Sequence, residues 1–92
     1  MIDYKNLNDL PTDIKLAIAN GQALVDQTRE LMKEKTYDID MTGKFQLKDD
    51  CKAVEKKIKL FAKGKATEKD VKDLEVAMIR LKTSAGALLG LK

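Results

Sequence analysis

The chain has 92 residues, of which 43% are hydrophobic, 36% charged and only 4% aromatic, and its formal net charge is +3. This composition is typical of one aliphatic, all-α domain over residues 1–92 and excludes both a β-rich and a disordered chain. The absence of histidine excludes His-dependent catalytic triads and imidazole zinc sites, and a single cysteine excludes an internal disulfide.

Two further absences in the sequence bear on location. No apolar run is long enough to span a membrane, and the amino terminus has no signal-peptide pattern. We therefore expect a cytoplasmic protein without a membrane partner.

The first predicted helix covers residues 10–35. Its apolar residues recur at helical spacing on one broad face, with Asp9 as a candidate N-cap and Pro11 in the first turn, where a missing N–H group is tolerated. The dipeptide Asn20-Gly21 is typical of a turn, but Gly21 lies on the apolar face. We therefore predict a continuous helix in which Gly21 permits close packing.

The segment that follows, residues 38–49, resembles an EF-hand calcium-binding loop over these twelve residues alone. Its glycine, Gly43, occupies the sixth position of the loop, where the motif requires a tight turn. The side-chain oxygens that would bind the cation belong to Asp38, Asp40, Thr42 and Asp49. The resemblance implies calcium as a cofactor, although an aspartate replaces the bidentate glutamate and no second loop is present. We therefore favour an ordered helix connection or a small hairpin over residues 36–46 and expect no cofactor, with calcium binding as the alternative.

The second predicted helix covers residues 45–63 and has an apolar stripe on one side and lysines on the other. The lysine row, here termed the basic stripe, consists of Lys48, Lys52, Lys56, Lys59 and Lys63. Residues 44–65 carry a local charge of +5, whereas residues 1–43 carry −3. The stripe is either a solvated face or a contact surface for an acidic protein or for nucleic-acid phosphates.

Nucleic-acid binding through the basic stripe is expected to be weak. The chain has only two arginines, Arg29 and Arg80, and no aromatic residue lies among the stripe lysines. Cys51 lies in the apolar stripe of the same helix and has no histidine to act as a base, so we predict a buried structural cysteine. No other motif supports catalysis, and we predict no catalytic residue and no enzyme.

The third predicted helix covers residues 67–90. Because its connection to the second helix is short, the two helices should pack antiparallel, with Gly64 ending one helix and Thr67 beginning the other. The sequence thus predicts a three-helix antiparallel bundle.

This third helix has apolar residues on nearly two sides. One stripe includes Leu74 and Leu81. The second side, here termed the outer flank, consists of Val76, Ile79, Thr83, Gly86, Ala87 and Gly90. It is either a second internal face or an interface, which Leu16, Leu60, Leu89 and Leu91 would extend. The sequence predicts a small protein–protein interaction module, an adaptor, inhibitor or structural subunit that forms a homo-oligomer or binds another protein.

Overall fold

The computed structural model describes residues 10–35 and 39–90, and these residues form three helices with no strand between them. The helices are α1 (Thr12–Glu34), α2 (Met41–Ala62) and α3 (Glu68–Leu89). Each helix packs against the other two, so the predicted three-helix bundle is confirmed.

Helix α1 is continuous through Gly21, as predicted. A Cβ atom at this position would lie 3.3 Å from both the Met78 sulfur and a Val54 methyl group, so the glycine lets α1 approach α2 and α3 closely. Pro11 is the N-cap residue of α1 and provides no capping hydrogen bond, and the predicted cap Asp9 lies outside the described residues.

Helix α2 begins at Met41 and not at Phe45, which corrects the predicted boundary. The Asp40 carboxylate accepts a hydrogen bond of 2.7 Å from the Gly43 N–H group and so caps the earlier start. A Cβ atom on Gly43 would lie 2.9 Å from an Ile39 methyl group, so a glycine fits here by its size and not by a left-handed turn. The predicted loop or hairpin before the second helix is therefore wrong for residues 41–44, which are helical, and residues 36–38 lie outside the described part.

The predicted antiparallel α2–α3 hairpin is well defined at both helix ends. Gly64 has a left-handed φ of 70°, and the Lys65 N–H group donates 2.9 Å back to the Leu60 carbonyl, which satisfies the end of α2. At the start of α3 the Asp70 carboxylate accepts the Thr67 N–H group at 2.8 Å. These local signals place the turn where the sequence predicts it.

The core is made from one side of each helix. From α3, Leu74 and Leu81 are 1% and 0% exposed, and they pack with Val54 and Phe61 of α2. A smaller cluster at the other end contains Leu89, which corrects the prediction that this leucine extends an exposed patch. Among the described helices, none has both the length and the apolarity needed to cross a membrane.

Candidate interaction surfaces

The outer flank of α3 faces solvent. Val76 is 50% exposed and Ile79 is 66% exposed, although both are large aliphatic residues. Of the remaining flank residues, Gly86 is half-buried and the other three are exposed. This flank is therefore not a second internal face of the bundle, which was one of the two alternatives from the sequence.

Next to the flank, a groove of about 460 Å³ runs between α1 and α3. It is lined by the exposed Leu16 together with Met78 and Ile79, so apolar surface continues from α3 onto α1. Of the other leucines predicted to extend the patch, Leu60 is half-buried against the core and Leu91 lies outside the described residues.

Charged side chains of both signs border the outer flank. On the α1 side lie Glu75 and Lys82, both of which line the groove next to Ile79. On the α2 side lie Asp73 and Arg80, which line a second groove, of about 310 Å³, together with Val76. On each side the acid precedes the base by seven residues, or two helical turns, so acid and base share one side of the helix.

An ion-pair network joins α2 to the start of α3. The Lys57 ammonium lies 3.0 Å from Asp70 and 3.2 Å from Asp73. Hydrogen bonds from Lys57 and from the Thr67 N–H group lower the pKa of Asp70, and the two carboxylates raise the pKa of Lys57. Nearby, the Ser84 hydroxyl donates to Asp50 at 2.8 Å, so polar contacts also fix the register of α2 against α3.

The basic stripe of α2 lies on its exposed side, and all five of its lysines are exposed. Two apolar residues lie at the amino-terminal end of this side, Met41 at 70% exposure and Phe45 at 59% exposure. Phe45 precedes Lys48 by one helical turn, so an aromatic ring does border the lysines. From the sequence, Phe45 was predicted only as the first residue of the second helix and not as a surface residue.

A groove of about 440 Å³ between α1 and α2, here termed the basic groove, was not predicted from the sequence. Its lining consists of Arg29, Met32, Lys33, Lys44, Lys48, Cys51 and Lys52. Only two of these residues belong to the basic stripe, and the others come from α1 or from the first turns of α2. The cationic residues of α1 are visible in the sequence, but they predict this groove only if the rotation of α1 against α2 is known.

Two of the groove residues are held in place by the surrounding structure. Arg29 forms a two-point ion pair with Glu55 of α2, one bond of which is 3.0 Å long. Cys51 is 1% exposed, as predicted, and burial raises the pKa of its thiol to about 11. A protonated, covered thiol is a weak nucleophile, and this cysteine contributes apolar packing beneath the lysines.

Three of the four residues of the calcium hypothesis lie in the described part of the chain, and these three do not form a calcium-binding loop. Thr42 and Asp49 belong to helix α2, the Asp40 carboxylate is used as a helix cap, and Asp38 lies outside the described residues. Within the described part of the chain, no three acidic, cysteine or histidine side chains are grouped to share a metal ion. Calcium binding stays a prediction, and calorimetry with calcium is its test.

In comparisons with known proteins, no family model, no curated protein and no solved structure matches this chain.

Proposed function

We propose that this protein is a small, non-enzymatic helical interaction module that self-associates through the outer flank of α3, acting as an adaptor, inhibitor or structural subunit. The observation that carries the proposal is the exposure of Val76 and Ile79, while the opposite side of the same helix fills the core. Burying a half-exposed aliphatic side chain contributes about 1 kcal/mol to the free energy of association. A dimer buries Val76 and Ile79 of both copies, so each residue contributes once in each copy.

The spacing of the flank suits helix–helix pairing. Val76, Ile79, Thr83, Gly86 and Gly90 follow one another at steps of three and four residues, the spacing of the contact positions in a two-helix coiled coil. Val76 and Ile79 are large and the next three residues are small. Most of the apolar surface buried between the paired helices would therefore belong to Val76 and Ile79.

The charges beside the flank favour an antiparallel pair of copies related by a two-fold axis. In such a pair, equivalent sides of the two helices face each other. With Val76 opposite the partner's Ile79, Glu75 faces the partner's Lys82, and Asp73 faces the partner's Arg80. The axis repeats both contacts, which gives four attractive charge pairs around two apolar layers.

Other arrangements of the same helices lose this match. In a second antiparallel register, the two-fold axis is shifted so that Ile79 faces the partner's Thr83. Lys82 then faces the partner's Lys82, and Arg80 faces the partner's Arg80, so like charges repel. A parallel pair keeps Glu75 against the partner's Arg80 but sets Glu68 against the partner's Asp73, so attraction and repulsion offset each other. Charge complementarity therefore supports a second copy as the occupant, in this antiparallel register with Val76 opposite the partner's Ile79.

Sedimentation equilibrium with charge variants tests this proposal. Lys82→Glu turns two attractive pairs into repulsive ones, so we expect the dimer Kd to rise about tenfold, and Glu75→Lys should act alike. The double variant Glu75→Lys with Lys82→Glu restores opposite charges and should recover the wild-type Kd. A wild-type protein that is monomeric at every accessible concentration would overturn the proposal.

A further inference from the structure

We propose that the basic groove between α1 and α2 binds an acidic polypeptide segment that carries an apolar side chain. The groove lies on the side of the bundle away from the outer flank of α3, so this surface is independent of self-association. A dimer formed through α3 leaves both copies of the groove open.

The charge of the groove is one-sided. Five of its seven lining residues are cationic, and none of the seven is a carboxylate. Arg29 is already paired with Glu55, whereas Lys33, Lys44, Lys48 and Lys52 make no ion pair within residues 10–35 and 39–90. Four unpaired ammonium groups around one concavity repel one another, and a polyanionic ligand relieves that repulsion.

The base of the groove is apolar, and this decides which polyanion fits. Met32 and Cys51 lie between the lysines, and a volume of about 440 Å³ accepts a side chain of leucine or phenylalanine size with its flanking backbone. A sugar–phosphate backbone brings charge but no apolar group for this base. A polypeptide brings both, with carboxylates for the lysines and one aliphatic or aromatic anchor.

The exposed side of α2 extends the same surface. Phe45 and Met41 lie at its amino-terminal end, and the rest of the basic stripe continues toward Lys63. A segment that lies along α2 from the groove therefore meets more lysines at one end and more apolar surface at the other. The order of apolar and charged contacts along α2 gives specificity for one peptide sequence. The positive charge of the surface attracts the acidic peptide and speeds its association.

Fluorescence anisotropy with defined probes tests the proposal on the intact chain. The first probe is a glutamate-rich synthetic peptide with one central leucine, and its matched control has serine in place of that leucine. The third probe is a single-stranded oligothymidylate. We expect the leucine peptide to bind about tenfold more tightly than the serine peptide and more tightly than the oligonucleotide.

Matched charge variants locate the binding site. Lys44→Glu with Lys48→Glu should weaken binding of the leucine peptide at least about tenfold. Lys65→Glu with Lys69→Glu changes the net charge equally but lies at the α2–α3 connection, outside both the groove and the basic stripe, and should weaken it less than about threefold. Circular dichroism checks that both variants are folded. The comparison of the two peptides uses only the wild-type protein, so it does not depend on the folding of any variant. Equal affinity for the two peptides, tighter binding of the oligonucleotide, or equal losses in both variants would each overturn the proposal.

Discussion

Helix α3 has two apolar sides with very different surroundings. On the inner side Leu74 and Leu81 are almost completely buried, whereas on the outer side Val76 and Ile79 are at least half exposed. All four residues are aliphatic, and each pair recurs at helical spacing. The difference arises because α1 and α2 can together cover only one side of a third helix.

The two exposed helix surfaces also differ from each other. The outer flank of α3 is bordered by acids and bases in a repeating order, so a second copy can complement it. The basic groove carries only positive charges around apolar residues, so a second identical groove would repel it. We therefore propose self-association through the first surface and binding of a different, acidic chain through the second.

The largest loss of stability is expected from a substitution on the inner side of α3. Leu81→Ala removes a fully buried side chain and should lower the free energy of unfolding by about 2–5 kcal/mol. Ile79→Ala, two residues earlier on the outer side, should lower it by less than about 1 kcal/mol at a concentration where the protein is monomeric. Urea unfolding followed by circular dichroism measures both, and equal losses would contradict the assignment of the two sides.

A smaller effect is expected where α1 approaches the other helices. Gly21→Val places methyl groups where a Cβ atom alone would already lie 3.3 Å from Met78 and Val54, and should cost about 1–3 kcal/mol through overpacking. Ala23→Val, on the exposed side of α1, is the matched control and should cost only the helix propensity of valine, below about 1 kcal/mol. Thermal unfolding of the two variants separates packing from propensity, and a Gly21→Val protein as stable as its control would show that the helices are farther apart.

The smallest effect is expected at the α2–α3 connection and depends on pH. Because its hydrogen bonds lower the pKa of Asp70 below the ordinary 3.8, ionised Asp70 stabilises the folded state at neutral pH, and this contribution is lost as the pH falls through the lowered value. Asp70→Asn should therefore cost about 1 kcal/mol at neutral pH, because the neutral amide no longer pairs with Lys57 or with the positive end of α3, and little in strong acid. Urea unfolding at both pH values measures the difference. Asp49→Asn, on an exposed side of α2, is the control and should cost less than Asp70→Asn at neutral pH.

Local signals in the sequence predicted much of the fold. Gly64 and Thr67 define the hairpin because a left-handed C′ glycine and an N-cap threonine act within a few residues of the chain. The start of α2 was missed because Thr42-Gly43 resembles a turn, and only the contact with Ile39 and the Asp40 cap make helix the better conformation there. The spacing of Val76 and Ile79 indicated a second apolar side on α3, but periodicity alone left open whether that side was inside or outside.

The sequence by itself determined the number of helices, the hairpin, the buried Cys51 and the presence of two apolar sides on α3, because helical periodicity and capping are encoded within one or two turns. Only the tertiary structure decided which side of α3 is covered and that Arg29 and Lys33 of α1 join the lysines of α2 around one groove. These features depend on how each helix is rotated against its neighbours, which is set by packing between residues far apart in the chain.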